Sequence, residues 1–310
     1  MKARSSCLLA AGVFAVFGAW RVWRDLVTDR RIREQFQDQF VEIPGIAGAR
    51  PVRMHALVRQ DLTVQRPSIV LVHGYGIGGS YFLRLADVLA DHADVYAPDL
   101  PGHGQSDHDA HPLTIVELAA ALVAWMERLD LPPVLLVGHS MGCQVAAEAA
   151  VRSPQRVARL VLLGPTTDPA TRSAVRLLAY ALGTALFERP GWMLRGLLDY
   201  MRAGIHLVLQ EMRHMLEHRL EDVLPAVRMP VLVARGRRDL LVSLSWADTL
   251  SRLSGAPAPV VLPGVGHVVQ YADPRAVATV ILQFAPTASA QTVERRGSGV
   301  ESTPAIVPGC

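Results

Sequence analysis

A serine with a glycine two residues to either side, Gly138-His139-Ser140-Met141-Gly142, carries the plainest chemical content in the chain. It follows the apolar run Val134-Leu135-Leu136-Val137 and precedes an Ala-rich stretch, Met141 to Arg152. That setting reads as a sharp turn from a buried strand into a helix. The turn strains the serine backbone and admits only small residues two before and two after it. The hydroxyl then stands at a helix N-terminus, where the dipole favours developing negative charge. Serine is a weak nucleophile at neutral pH and needs a base, and the base needs an orienting group. Asp239 lies just past the apolar run Val231–Ala234, and His267 just past Val260–Leu262. Both follow strands, where open α/β sheets place their sites. His267 would take the serine proton and return it to the leaving group. Asp239 would hold its tautomer and stabilise the imidazolium. Asp248, inside a predicted helix, and Asp273, after the histidine, fit the order serine, acid, histidine poorly. The chemistry is acyl transfer through an acyl-serine, and it calls for no metal and no cofactor.

Other polar groups read as structural. His103, Asp107, His108, Asp109 and His111 are ligand types without dedicated metal spacing. His214 and His218 are one helical turn apart, but no His-Glu-x-x-His is present, so a solvated polar face is expected. His73, in His73-Gly74-Tyr75-Gly76, is expected to brace its loop rather than react, since one base suffices. Cys7, Cys143 and Cys310 form no disulfide framework.

The elements that must hold these residues alternate. Val41–Ile46 and Val52–Val58 are expected as an antiparallel strand pair around Gly45 and Gly48. Strands follow over Ser68–His73, Asp94–Leu100, Val134–Gly138, Arg159–Leu163, Val231–Ala234 and Val260–Leu262. Helices are predicted over Tyr81–His92, Thr114–Leu129, Met141–Arg152 and Asp273–Phe284. Thr114 with Glu117 is a capping-box pattern. The alternation predicts an α/β fold with a doubly wound, mostly parallel sheet. The interval 166–229 departs from it. It reads as consecutive helices with breaks at Gly183, Pro190-Gly191 and Gly204, a helical lid over the strand ends. Trp192, Met193, Leu197, Tyr200 and Met201 from this lid are candidates for an apolar acyl pocket.

Four segments together resemble the α/β-hydrolase superfamily, in its order: His73-Gly74-Tyr75-Gly76, Asp99-Leu100-Pro101-Gly102-His103-Gly104-Gln105-Ser106, the Ser140 turn, and the Asp239/His267 pair. The resemblance covers about residues 40–285 and implies an α/β-hydrolase fold. It also implies that the backbone N–H groups of Tyr75 and Met141 form an oxyanion hole. Losing one such donor costs ~3 kcal/mol. Members with Asp in place of the serine cleave halides or epoxides, and this chain departs from them. Hydrolysis of a carboxylic ester, lactone or thioester is expected. A carbon–carbon bond hydrolase, an acyltransferase and a non-catalytic binding protein of the fold stay open.

Composition bounds the rest. The 310 residues are half hydrophobic and one-fifth charged, with a net charge of +3. That balance is too mild for nucleic acid, and the partner expected is a small-molecule acyl substrate. Residues 37–285 are expected as one hydrolase domain, with a segment 1–36 before it and a Pro/Ser/Thr/Gly-rich disordered tail, 286–310, after it. Lys2 and Arg4 precede an apolar run from Cys7 to Trp20, short for a span, which needs about 20 residues. Trp20, Trp23, Leu26 and Val27 extend it. Membrane association through residues 7–27 by an uncleaved anchor is the favoured reading. A signal peptide, with secretion or a periplasmic location, and a soluble docking helix are the alternatives. Arginines at 21, 24, 30, 31 and 33 favour a cytoplasmic catalytic domain by the positive-inside tendency. Oligomeric state is left open.

Overall fold

The computed structural model describes residues 19–46, 50–108, 112–170, 172–185 and 187–285. Eight strands form one sheet: β1 Gln37–Ile43, β2 Val52–Arg59, β3 Ser68–Val72, β4 Asp94–Pro98, β5 Val134–His139, β6 Val157–Leu163, β7 Val231–Gly236 and β8 Val260–Leu262. Their order is β1-β2-β4-β3-β5-β6-β7-β8. Only the β1–β2 and β2–β4 pairs are antiparallel. β3 to β8 pair in parallel, as expected for a doubly wound α/β sheet.

The continuous apolar runs of the inner strands follow from this topology, because both faces are covered. Val70, Val72, Leu136, Leu160 and Val233 face one core with helices α3 Ile115–Arg128, α4 Gly142–Arg152 and α9 Leu244–Leu253. Ile69, Leu71, Leu135, Val137 and Val161 face the other with α2 Leu83–Leu89, α10 Val269–Ala272 and α11 Pro274–Phe284. The capping box of Thr114 and Glu117 opens α3. Strand β1 begins four residues earlier than the sequence reading placed it. Its edge position leaves Gln37–Phe40 largely exposed, so polar residues can join the ladder.

Between β6 and β7 the chain forms α5 Ala174–Ala185, α6 Pro190–Ala203, α7 Ile205–Glu217 and α8 Leu220–Val223. Pro190 opens α6 and Gly204 separates it from α7, as read from sequence. Gly183 does not break α5, which runs on to Ala185. One glycine near a helix end costs only about 1 kcal/mol and need not end it.

Residues 19–33 are helical and are called α1. They fall within the segment that the sequence suggested as anchor and linker. Asp25 and Asp29 of α1 are buried and ion-paired with Arg84 of α2, at 3.0 and 2.6 Å. Tyr271 donates its hydroxyl to Asp29 at 3.0 Å. Among the described residues no helix is long and apolar enough to cross a membrane. The tail expected over 286–310 and residues 7–18 of the apolar run lie outside the described residues.

Candidate active site

Ser140 lies one residue past β5 with φ 57°, the left-handed region that a β-carbon disfavours. The glycines around it explain why the turn can form. A Cβ on Gly142 would sit 2.3 Å from the Val72 carbonyl oxygen, and one on Gly138 would sit 2.4 Å from that of Gly142. The turn is therefore wedged between its own strand and β3. The Ser140 N–H donates to Leu163 O at 3.0 Å, which ties the turn to the end of β6.

The acid and the histidine arrive on adjacent loops after β7 and β8. These loops touch closely: a Cβ on Gly236 would lie 1.9 Å from Gly266 O. Arg237 and Arg238 N–H groups donate to Leu262 O and Val265 O. Asp239 is 3% exposed. Its Oδ1 accepts from the N–H groups of Leu241 and Val242, at 2.8 and 3.2 Å. Its Oδ2 lies 2.8 Å from His267 Nδ1. Both atoms of the carboxylate are thus engaged, and the imidazole is held with Nδ1 toward the acid. Burial pulls the His267 pKa down. The charge and hydrogen bond of Asp239, with the charge of Glu188, outweigh it and hold the pKa above its ordinary value.

Two groups around His267 had no signal in the sequence. Glu188, between α5 and α6, accepts from the N–H groups of His267 and Val268 through one oxygen, at 2.7 and 3.1 Å. Burial raises its pKa. His139, inside the glycine-flanked turn, stacks on His267 with ring centroids 4.8 Å apart. Its Nε2 donates to His267 O at 3.0 Å, so its Nδ1 accepts from the Tyr81 hydroxyl at 2.5 Å. Burial, and then the neighbouring His267, hold His139 well below the ordinary value and hence neutral.

The loop after β3 lies against the serine: a Cβ on Gly74 would be 3.0 Å from Ser140 Cβ. His73 braces this loop. Its Nδ1 donates to Gly74 O and its Nε2 accepts from Leu100 N, both at 2.9 Å. Burial lowers its pKa to about 4. Among the described residues the backbone N–H groups of Tyr75 and Met141 donate to no carbonyl or side chain. The next N–H, of Gly76, donates to Glu211 of α7 at 2.8 Å. Glu211 Oε1 also lies 2.9 Å from His103 Nε2, as an ion pair. Burial lowers the His103 pKa, but Glu211 outweighs it and the net shift is upward. Both side chains are almost fully buried, so α7 is pinned to the Asp99–Ser106 segment and to the loop after β3.

The lid candidates separate. The Tyr200 ring lies 5.5 Å from that of Tyr75, beside the loop after β3. Trp192 packs against Tyr81 at 5.4 Å. Met193, Leu197 and Met201 are exposed. Asp109 and His111 lie outside the described residues. His214 donates to Leu113 O, and His218 pairs with Glu148. A cavity of about 310 Å³ lies behind the Gly76–Gly78 turn, lined by His55, Asp99, His103, Asp199 and Arg202, and Ser140 is not part of it.

Residues 69–280 match the model of the alpha/beta hydrolase family. The chain belongs to this family. Relatives vary in what they share with this alpha/beta hydrolase. A candidate esterase/lipase of Mycoplasma pneumoniae is 43% identical over 101 residues, 32% of this chain and 37% of the relative. The dihydrolipoyllysine-residue acetyltransferase component of an acetoin cleaving system in Pseudomonas putida is 31% identical over 226 residues, 65% of this chain and 59% of the relative. The matched stretches thus span less than two thirds of these relatives' own lengths. The crystal structure of a bacterial membrane phospholipase A superposes with a TM-score of 0.68 at 20% identity, covering 96% of this chain and all of that one. At that identity the likeness concerns the fold.

Proposed function

We propose that this alpha/beta hydrolase cleaves a carboxylic ester, lactone or thioester through an acyl-enzyme on Ser140. The observation that carries the reading is the strained Ser140 turn beside a buried His267–Asp239 pair whose atoms are 2.8 Å apart. Asp239 holds the Nδ1 proton, which leaves Nε2 free to take the proton from Ser140 Oγ as it attacks the substrate carbonyl carbon. The N–H groups of Tyr75 and Met141 receive the oxyanion. His267 then protonates the leaving alcohol or thiol. Water, deprotonated by the same histidine, releases the acid and restores the serine. The reaction needs only this chain and water. In this reading Trp192 and Tyr200 form part of an apolar acyl pocket and Met193 and Leu197 its exposed rim, supported by the ring contacts of the first two and the exposure of the others.

Acyl transfer is the second reading, favoured by the acetyltransferase relative. It uses the same acyl-enzyme with another nucleophile in place of water. Association with a membrane through residues 7–27 belongs to the proposal as well, supported by the exposed Trp23 and Leu26 of α1. A fluorophosphonate probe should label Ser140, and a p-nitrophenyl ester series from acetate to palmitate should size the pocket. A chain with no adduct at Ser140 would overturn the hydrolase reading. An adduct without ester turnover would favour acyl transfer.

A further inference from the structure

Helix α5 is an unusual element for a surface. Of its described side chains only Leu177 and Thr184 are buried, while Val175, Leu178 and Leu182 are 79%, 59% and 65% exposed. Ile205 and Leu209 of α7 are also exposed, as are Trp23 and Leu26 of α1. α1 sits beside the start of α6, where a Cβ on Gly191 would lie 2.6 Å from Asp25 Cβ. Exposed apolar surface on this scale marks an interaction site.

The charges on the same elements are sorted. Between residues 174 and 217, the ends of α5 and α7, there are four acids, Glu188, Asp199, Glu211 and Glu217. Glu188 holds the His267 loop, Glu211 pairs with His103, and Asp199 is largely buried. On α1, Asp25 and Asp29 are consumed by Arg84. What faces outward is mostly arginine: Arg176, Arg202 and Arg213 on the cap and Arg30 and Arg31 on α1, against two exposed acids, Glu217 paired with Arg213 and Glu34 paired with Arg30. Apolar side chains interleaved with outward arginines suit the boundary between headgroups and acyl chains of an anionic bilayer.

We propose that the outer face of cap helices α5 to α7, continued by α1, docks on an anionic lipid bilayer. It rests on the membrane reading above but goes further, because an anchor alone would leave the cap in water. The cap covers the strand ends that carry Ser140, Asp239 and His267, so docking there brings the site to the lipid surface.

The test uses the full chain with Cys7 and Cys310 replaced by Ser; Cys143 is buried and should not react. Single variants Leu178→Cys and Leu209→Cys carry an environment-sensitive nitrobenzoxadiazole label. Val64→Cys, at the opposite end of the sheet, is the control. With vesicles containing phosphatidylglycerol, both cap labels should shift to the blue and be quenched by nitroxide lipids, while the control should not respond. Phosphatidylcholine vesicles should give a smaller shift, and salt should weaken the response, since the Debye length falls to about 3 Å at 1 M. Vesicle binding with silent cap labels would overturn the proposal while leaving an anchor in place. No vesicle binding would overturn both membrane readings. A blue shift without vesicles, rising with protein concentration, would show that a second copy covers the face and would overturn lipid docking. Turnover of a soluble ester, measured in parallel, reports on the hydrolase reading separately.

Discussion

His267 gains a proton during the proposed reaction, and two carboxylates meet that charge differently. Asp239 bonds the ring at Nδ1. Glu188 bonds the backbone on either side of the His267 carbonyl and acts on the ring through its charge. The base works only when neutral, so turnover should fall with acid through a pKa above the ordinary histidine value of about 6.5. Glu188→Gln keeps an oxygen for both N–H groups but removes the negative charge. The acid limb of the kcat/KM profile against pH should therefore move to lower pH. An unmoved limb would make Glu188 a loop brace alone. Ser140→Ala keeps the β-carbon of the strained turn and removes only the nucleophile. It should fold with an unchanged far-UV spectrum and lose turnover by several orders of magnitude, ~10⁶ in a comparable serine enzyme. Retained turnover would mean that the nucleophile lies elsewhere.

Helix α7 connects the cap to the loop that is proposed to receive the oxyanion. Its Glu211 joins His103 and the Gly76 N–H in a nearly solvent-free setting. Breaking a buried pair by removing one partner costs about 3–5 kcal/mol. Glu211→Gln preserves an acceptor for Gly76 but not the ion pair, so a loss toward the lower end is expected in urea unfolding. The sign with pH follows from His103, whose folded pKa is raised. Such a group contributes its full stability below the unfolded value of about 6.5 and loses it as pH rises through the folded value. The gap between parent and variant should thus be widest near pH 6 and narrow toward pH 9. A constant gap would show that the charge of His103 is not involved.

The molecule as a whole is closed by contacts distant in sequence. Arg84 of α2 reaches Asp25 and Asp29 of α1, and Tyr271 of α10 reaches the same Asp29. Arg84→Leu would leave the buried Asp29 without its cation and Asp25 with only Arg24 and Arg189 at 4.0 Å, at about 3–5 kcal/mol for such a break. α1 should then detach before the sheet unfolds, and trypsin should cut at Arg30 or Arg31 while the hydrolase core survives. Cutting that appears only with loss of the whole domain would place α1 inside the cooperative unit.

The sequence by itself determined the sheet, because strands buried on both faces must be apolar throughout, and it marked the start of α3 with the Thr114–Glu117 cap. It determined the Ser140 turn as well, since only glycine fits at 138 and 142. Asp239 and His267 were legible from chain order and from their places after strands. The tertiary structure alone decided which polar groups support them. Glu188 and Glu211 meet residues 79 and 108 positions away, the two Arg84 pairs span 59 and 55, and no local pattern encodes such a meeting. It also decided which lid side chains face inward. Trp192, Met193, Leu197 and Tyr200 share one helix and one apolar character, and only the packing of that helix on its neighbours separates rings placed against Tyr81 and Tyr75 from side chains left on the surface.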